Sequence, residues 1–249
     1  MSDLKPSPRR TRKPPAAPQA GTRRPRDPAP PARPGTPAAV DPDTVREVFR
    51  RFHALNPEPK GELEHTNPFT LLVAVVLSAQ STDAGVNKAT RRLFAVADTP
   101  RKMLELGEEG LRDFIKTLNF FNTKARNVIA LSRRLVEEFG GAVPADVAAL
   151  ETLPGVGRKS ASVVVNMAFG IPRIAVDTHI FRVANRIPLV TAATPLETQE
   201  ALERIVPEEY LLHAHHWLIL HGRYTCKARK PECGRCPVND LCRFPDKTV

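Results

Sequence analysis

From residue 41 onward, apolar side chains recur every three to four positions, the spacing that lays one apolar stripe along a helix. Lys124 to Phe139 shows it plainly, with Arg and Glu between the apolar positions and Gly140-Gly141 closing the segment. The starts are marked as well. Asp41-Pro42, Asn67-Pro68, Thr99-Pro100 and Thr194-Pro195 each set a capping side chain before a proline. The cap accepts an orphan N–H, and proline in the first turn has none to leave unpaired. Glu197, three residues after Thr194, completes a capping box. Phe69 to Ala79 is apolar nearly all round, which predicts a helix enclosed by others. Val163-Val164-Val165 is β-branched, but it lies between a helix start and Gly170 and reads as a buried helix. Strand and hairpin signals are scarce, so the pattern predicts an all-α bundle of about ten helices.

The pattern stops before residue 41. Residues 1–40 hold eleven of the 25 prolines and nine Lys or Arg against two Asp, with almost no large apolar side chain. Such a segment cannot offset the entropy of ordering, so it is expected to be a disordered basic tail. Removing it leaves about +3 of the formal +10 charge on the rest. On charge alone the tail could meet nucleic acid, an anionic membrane or an acidic protein, or simply be solvated. No apolar leader follows the N-terminal charges, and the run from Phe69 to Leu77 is too short to span a bilayer. A soluble cytoplasmic protein without membrane contact is expected.

Candidate chemistry begins at Leu153-Pro154-Gly155-Val156-Gly157, between helical patterns at Ala145–Thr152 and Arg158–Phe169. A tight Gly-x-Gly turn beside a helix N-terminus makes an anion site, and its backbone N–H groups can hold DNA phosphate without reading sequence. Many such turns are only helix connectors. Lys159 follows in the first helical turn. The dipole's positive end, with partial burial, disfavours an ammonium there, and a neutral amine can attack carbon to form a Schiff base. A surface lysine touching phosphate is the plainer reading. Asp177 comes eighteen residues later, within Ala175-Val176-Asp177-Thr178-His179. It could cap a helix, or stabilise positive charge at a sugar carbon beside that amine.

Four cysteines occupy seventeen residues, Cys226-x6-Cys233-x2-Cys236-x5-Cys242, and the 225 residues before them contain none. That clustering suggests a metal site, and spacing alone allows zinc or an iron–sulfur cluster. Lys227, Arg229 and Lys230 lie between the first two thiols as candidate phosphate contacts, or as a solvated loop. His213, His215, His216 and His221 do not converge into a ligand set and are given structural roles.

Leu153 to Ala161, Ala175 to Val183, and His215 to Cys226 together resemble successive signature segments of the endonuclease III family. The likeness runs from about residue 43 to residue 242. It implies a helix-hairpin-helix glycosylase fold with a DNA-binding and active-site cleft between two helical domains. Residues 61–171 would form a six-helix domain with the hairpin, and 41–60 with 172–249 an iron–sulfur domain. It implies a bifunctional DNA glycosylase and abasic-site lyase that removes oxidised pyrimidines from damaged duplex DNA and cleaves 3′ by β-elimination. Lys159 and Asp177 would then be catalytic, and Cys226, Cys233, Cys236 and Cys242 would hold a [4Fe–4S] cluster. A monomer is expected, at the nucleoid if the source is bacterial. Gln80, in Ser78-Ala79-Gln80-Ser81-Thr82-Asp83, corresponds to a glutamine that fills the hole left by a rotated base. Phe120 would be the opposing wedge, in Asn119-Phe120-Phe121-Asn122, where related loops carry glycine and tyrosine.

A monofunctional mismatch or adenine glycosylase of the same superfamily is the alternative, and Lys159 argues against it. A non-catalytic hairpin protein and a redox sensor are further classes, and the pairing of Lys159 with Asp177 speaks against both.

Overall fold

The computed structural model describes residues 41–187 and 189–248, all within one unit, 37–249. The expected tail at 1–40 lies outside the described residues. Among those described there are ten α-helices and no strand: α1 Pro42–Leu55, α2 Pro68–Ser78, α3 Asp83–Phe94, α4 Pro100–Ile115, α5 Phe121–Glu138, α6 Val147–Glu151, α7 Arg158–Phe169, α8 Thr178–Arg186, α9 Pro195–Ile205 and α10 Glu208–Tyr224.

All four capping pairs start helices, and in each the side-chain oxygen accepts an N–H of the first turn. Thr194 and Glu197 form the capping box, and Asn67 with Thr70 forms another that the sequence pattern did not flag. Helix α7 spans the expected residues, valines included. Helix α6 is shorter than the expected Ala145–Thr152, because Asp146 accepts from Ala149 N at 2.7 Å and the helix begins only after that cap.

Two hydrophobic clusters organise the bundle. The first is built around α2, whose residues Phe69 to Leu77 are all buried, and it includes Leu93, Leu111, Leu131, Leu150 and Val164. Helix α2 packs on α3, α5 and α7, as an all-apolar helix must. The second gathers Val45, Phe49 and Phe52 of α1 with Ile180 and Val183 of α8, Leu202 of α9, and Trp217 and Leu218 of α10. Trp217 Nε1 donates to the carbonyl of Asn56 at 2.8 Å, which ties α10 to the end of α1. A side chain at Gly222 would stand 2.9 Å from His179 Cβ, so glycine lets α10 lie directly on the start of α8.

Leu72 is fully buried in α2. Leu72→Ala is expected to destabilise the fold by about 2–5 kcal/mol through lost apolar contact and a residual cavity. A thermal midpoint close to that of the parent protein would contradict the enclosed placement of α2.

Candidate active site and cluster cavity

The hairpin between α6 and α7 is shaped by its first glycine. Gly155 has φ +80°, and a Cβ there would lie 2.8 Å from Asn127 Nδ2, so both conformation and space demand glycine. Gly157 caps α7 without any side-chain hydrogen bond, and among the described residues nothing but its own chain neighbours lies within 4 Å of where its Cβ would be. The N-terminus of α7 is therefore open to an incoming anion. Val156 differs from expectation. Its side chain is buried, and its N–H is engaged by the carbonyl of Leu153 at 3.1 Å, so it anchors the turn instead of offering an amide outward.

Lys159 and Asp177 meet at this end of α7. Lys159 Nζ lies 3.9 Å from Asp177 Oδ2. The other carboxylate oxygen, Oδ1, accepts from His179 N and Ile180 N, both at 2.9 Å. Asp177 thus caps α8 with one oxygen and faces the amine with the other. The lysine side chain is 53% exposed, so the expected partial burial of the amine is not found. Asp177, at 14%, is the sheltered partner.

Beside the amine lies a cavity of about 280 Å³ lined by Lys159, Ser160, Gln80, His215, His216 and Arg223, among others. His215 and His216 are buried, and burial pushes their pKa values down to about 3 and about 4. Both rings are therefore neutral near pH 7, and His215, within reach of the Lys159 charge, adds no positive charge to those of Lys159 and Arg223. The structural role given to the histidines by sequence fits the burial of His215, His216 and His221, with His213 only half-buried, but misses this place in the cavity wall. Arg223, also missed, donates to Asp83 at 2.7 Å and pairs with Glu62, joining α10 to the turn that carries Gln80.

Gln80 and Phe120 are exposed, each in a left-handed backbone conformation, with φ 53° and 56°. Phe120 is 63% exposed while Phe121 packs on the first cluster, so the ring that faces outward is the expected one. Asn119 donates to the Gln80 carbonyl at 2.8 Å.

Cys226, Cys233, Cys236 and Cys242 line one cavity with Arg186, His221 and Phe244, and none forms a disulfide. Arg186 Nη1 is 3.8 Å from Cys226 Sγ, His221 Nε2 3.7 Å from Cys236 Sγ, and Phe244 N 3.4 Å from Cys242 Sγ. Burial raises Cys236 to about 11, so the bare thiol stays protonated at neutral pH until a metal displaces the proton. Four thiols on one cavity, faced by cationic and N–H donors, fit a thiolate-ligated cluster. Arg186 also holds the carbonyls of Lys227 and Ala228, at 2.6 and 2.9 Å, fixing the basic loop. Within it Arg229 and Lys230 are exposed, whereas Lys227 pairs with Glu232.

Comparison with known proteins agrees with this geometry. A family model described as HhH-GPD superfamily base excision DNA repair protein matches residues 73–208, and one described as the iron-sulfur binding domain of endonuclease III matches residues 226–242. The class is thus a helix-hairpin-helix base excision repair protein. The chain is 58% identical to endonuclease III of Treponema pallidum (strain Nichols), over 82% of this chain and 96% of the relative. It is 55% identical to endonuclease III of Escherichia coli (strain K12), over 81% and 95%. A solved structure of a trapped endonuclease III–DNA covalent intermediate, an estranged-adenine complex, superposes with TM-score 0.77 at 43% identity, over 82% of this chain and 97% of that one. The chain belongs to the endonuclease III family: a DNA-binding, bifunctional base excision repair glycosylase and abasic-site lyase with a [4Fe–4S] cluster. No helix among the described residues is long and apolar enough to cross a membrane.

The double use of Asp177 can be separated by substitution. Asp177→Asn keeps a capping oxygen and should retain the thermal midpoint while base release slows severely. Asp177→Ala should also lose about 1 kcal/mol of stability with the cap. Equal melting of the two variants would contradict the cap, and near-normal turnover of Asp177→Asn would contradict the catalytic role.

The buried histidines set a second expectation. Their folded pKa values lie below the ordinary imidazole value of 6.5, so below that pH the unfolded chain binds protons that the folded chain refuses. The histidine contribution to stability should be level above about pH 7 and decline from about pH 6.5 toward pH 4. His215→Gln should make the thermal midpoint less sensitive across that range, and an unaltered slope would count against the buried neutral ring.

Proposed function

We propose that this chain removes oxidised pyrimidines from damaged double-stranded DNA, with Lys159 as nucleophile and Asp177 as its carboxylate partner. The 3.9 Å approach of Lys159 Nζ to Asp177 Oδ2, beside the cavity, carries the reading. The Asp177 carboxylate offsets positive charge at C1′ as the bond to the base weakens, and it accepts a proton of the amine only as the new C–N bond forms. The amine attacks C1′, the C1′–N bond breaks, and the base leaves. The sugar opens to a Schiff base, a C2′ proton departs, and the C3′–O bond breaks by β-elimination. Water then hydrolyses the imine and returns Lys159. The trapped covalent complex of the related endonuclease III supports a covalent route.

Base rotation requires side chains to occupy the gap, and we assign Gln80 and Phe120 to it from their exposure and adjacency. The hairpin at Gly155 and Gly157 receives phosphate on open backbone, with Val156 as its anchor. Cys226, Cys233, Cys236 and Cys242 hold the cluster, which on this reading fixes the loop presenting Lys227, Arg229 and Lys230 to phosphate. The two hydrophobic clusters support a division into domains at 61–171 and at 41–60 with 172–249, DNA entering the cleft between them. Amine, carboxylate and cavity all come from one chain, so the site needs no second subunit, and on this reading the protein acts as a monomer on DNA in the cytoplasm, at the nucleoid if the source is bacterial.

Incubation with thymine-glycol duplex under borohydride tests the assignment. The parent protein should form a covalent complex, and Lys159→Gln should abolish trapping and strand cleavage while binding DNA with little change. Trapping that persists in the variant would place the nucleophile elsewhere.

A further inference from the structure

The turns carrying Gln80 and Phe120 are far apart in the chain but joined by two side chains. Asn119 Nδ2 donates to the Gln80 carbonyl at 2.8 Å, and Lys124 Nζ donates to Ser81 Oγ at 2.9 Å. Lys124 stands out because its side chain is buried, 5% exposed, and its partner is a hydroxyl instead of a carboxylate. Burying an ammonium is unfavourable, and the desolvation lowers its pKa. Such a group persists where its contact is needed. Gln80 and Phe120 supply the need, since both hold a left-handed conformation that favours glycine. A strained backbone of this kind keeps its shape only while its surroundings hold it. Asn119 grips the main chain of Gln80 itself, and Lys124, whose own N–H is bonded to the Phe120 carbonyl at 3.0 Å, grips the next residue.

We propose that Asn119 and Lys124 are positioning residues that lock the Gln80 and Phe120 turns into one rigid pincer, so that both side chains enter the duplex together at a fixed separation. The proposal rests on the assignment of Gln80 and Phe120 to the gap left by the rotated base. Locking the turns beforehand removes the ordering entropy that DNA binding would otherwise have to offset. Neither bond uses the Gln80 amide or the Phe120 ring, so both stay available to bases. Base extrusion therefore depends on the two bonds, and chemistry at an abasic site, which needs no extrusion, does not.

The test uses full-length, cluster-loaded protein and the variants Asn119→Asp, Lys124→Met and Phe120→Ala. Asn119 is exposed, so aspartate, which cannot donate to the Gln80 carbonyl, leaves the core untouched, and melting curves check Lys124→Met. Three quantities are read: single-turnover excision of thymine glycol from duplex, cleavage of a pre-formed abasic site, and fluorescence of 2-aminopurine opposite a non-cleavable abasic analogue. Asn119→Asp and Lys124→Met should each lower excision about fivefold, as loss of one hydrogen bond implies, with abasic cleavage within about twofold of the parent. The fluorescence rise on binding should shrink in both. Parent-like excision and fluorescence in Asn119→Asp would overturn the proposal, as would a parallel fall of both activities in that variant. Phe120→Ala separates the two levels of inference. If it spares abasic cleavage while excision collapses, but Asn119→Asp and Lys124→Met excise normally, the pincer alone fails. If Phe120→Ala lowers both activities equally, the gap-filling assignment fails and the pincer with it.

Discussion

An eleven-residue helix that is apolar on every side has no face to give to water, and α2 is such a helix. Burial is its only stable arrangement, and α3, α5 and α7 supply the enclosure. The geometry of the site follows from that packing. The end of α2 delivers Gln80, the start of α5 delivers Phe120, and the N-terminus of α7 delivers the open hairpin and Lys159. Because all three border the same buried helix, side chains distant in sequence come together at one edge of the bundle.

Local structure and chemistry share atoms at several points. Asp177 is both the N-cap of α8 and the nearest carboxylate to the Lys159 amine, one oxygen for each task. Capping fixes the carboxylate in place, so its approach to the amine does not depend on a freely rotating side chain. Most helix starts here are satisfied by a side-chain oxygen, whereas α7 begins at a bare glycine. A helix end left open beside the Lys159 amine suits an enzyme that binds DNA, a polyanion.

The cysteine end follows related physics. Its cavity is backed by the second hydrophobic cluster, and Arg186 and His221 reach toward the sulfurs from α8 and α10. Arg186 also grips the carbonyls of the basic loop and lies 4.7 Å from the Phe244 ring centroid, so one guanidinium spans the Cys226 sulfur, the loop and an aromatic face. Three residues before Cys226, Arg223 joins this region to the turn at Asp83.

The sequence by itself determined whatever depends on near neighbours along the chain. Capping oxygens lie within three residues of the amides they serve, so the proline-marked starts of α1, α2, α4 and α9 were legible, as were the bounds of α7. The apolar run of α2 announced its enclosure, and the cysteine spacing announced a metal site. Family resemblance supplied the roles of Lys159 and Asp177, which periodicity could not separate from a surface lysine and a helix cap. Only tertiary structure decided that the two stand 3.9 Å apart and that Val156 turns inward. It alone brought Asn119 to Gln80 across 39 positions, Lys124 to Ser81 across 43 and Arg223 to Asp83 across 140. Contacts of that separation leave no periodic trace, because they depend on how helices pack and not on which face a helix shows.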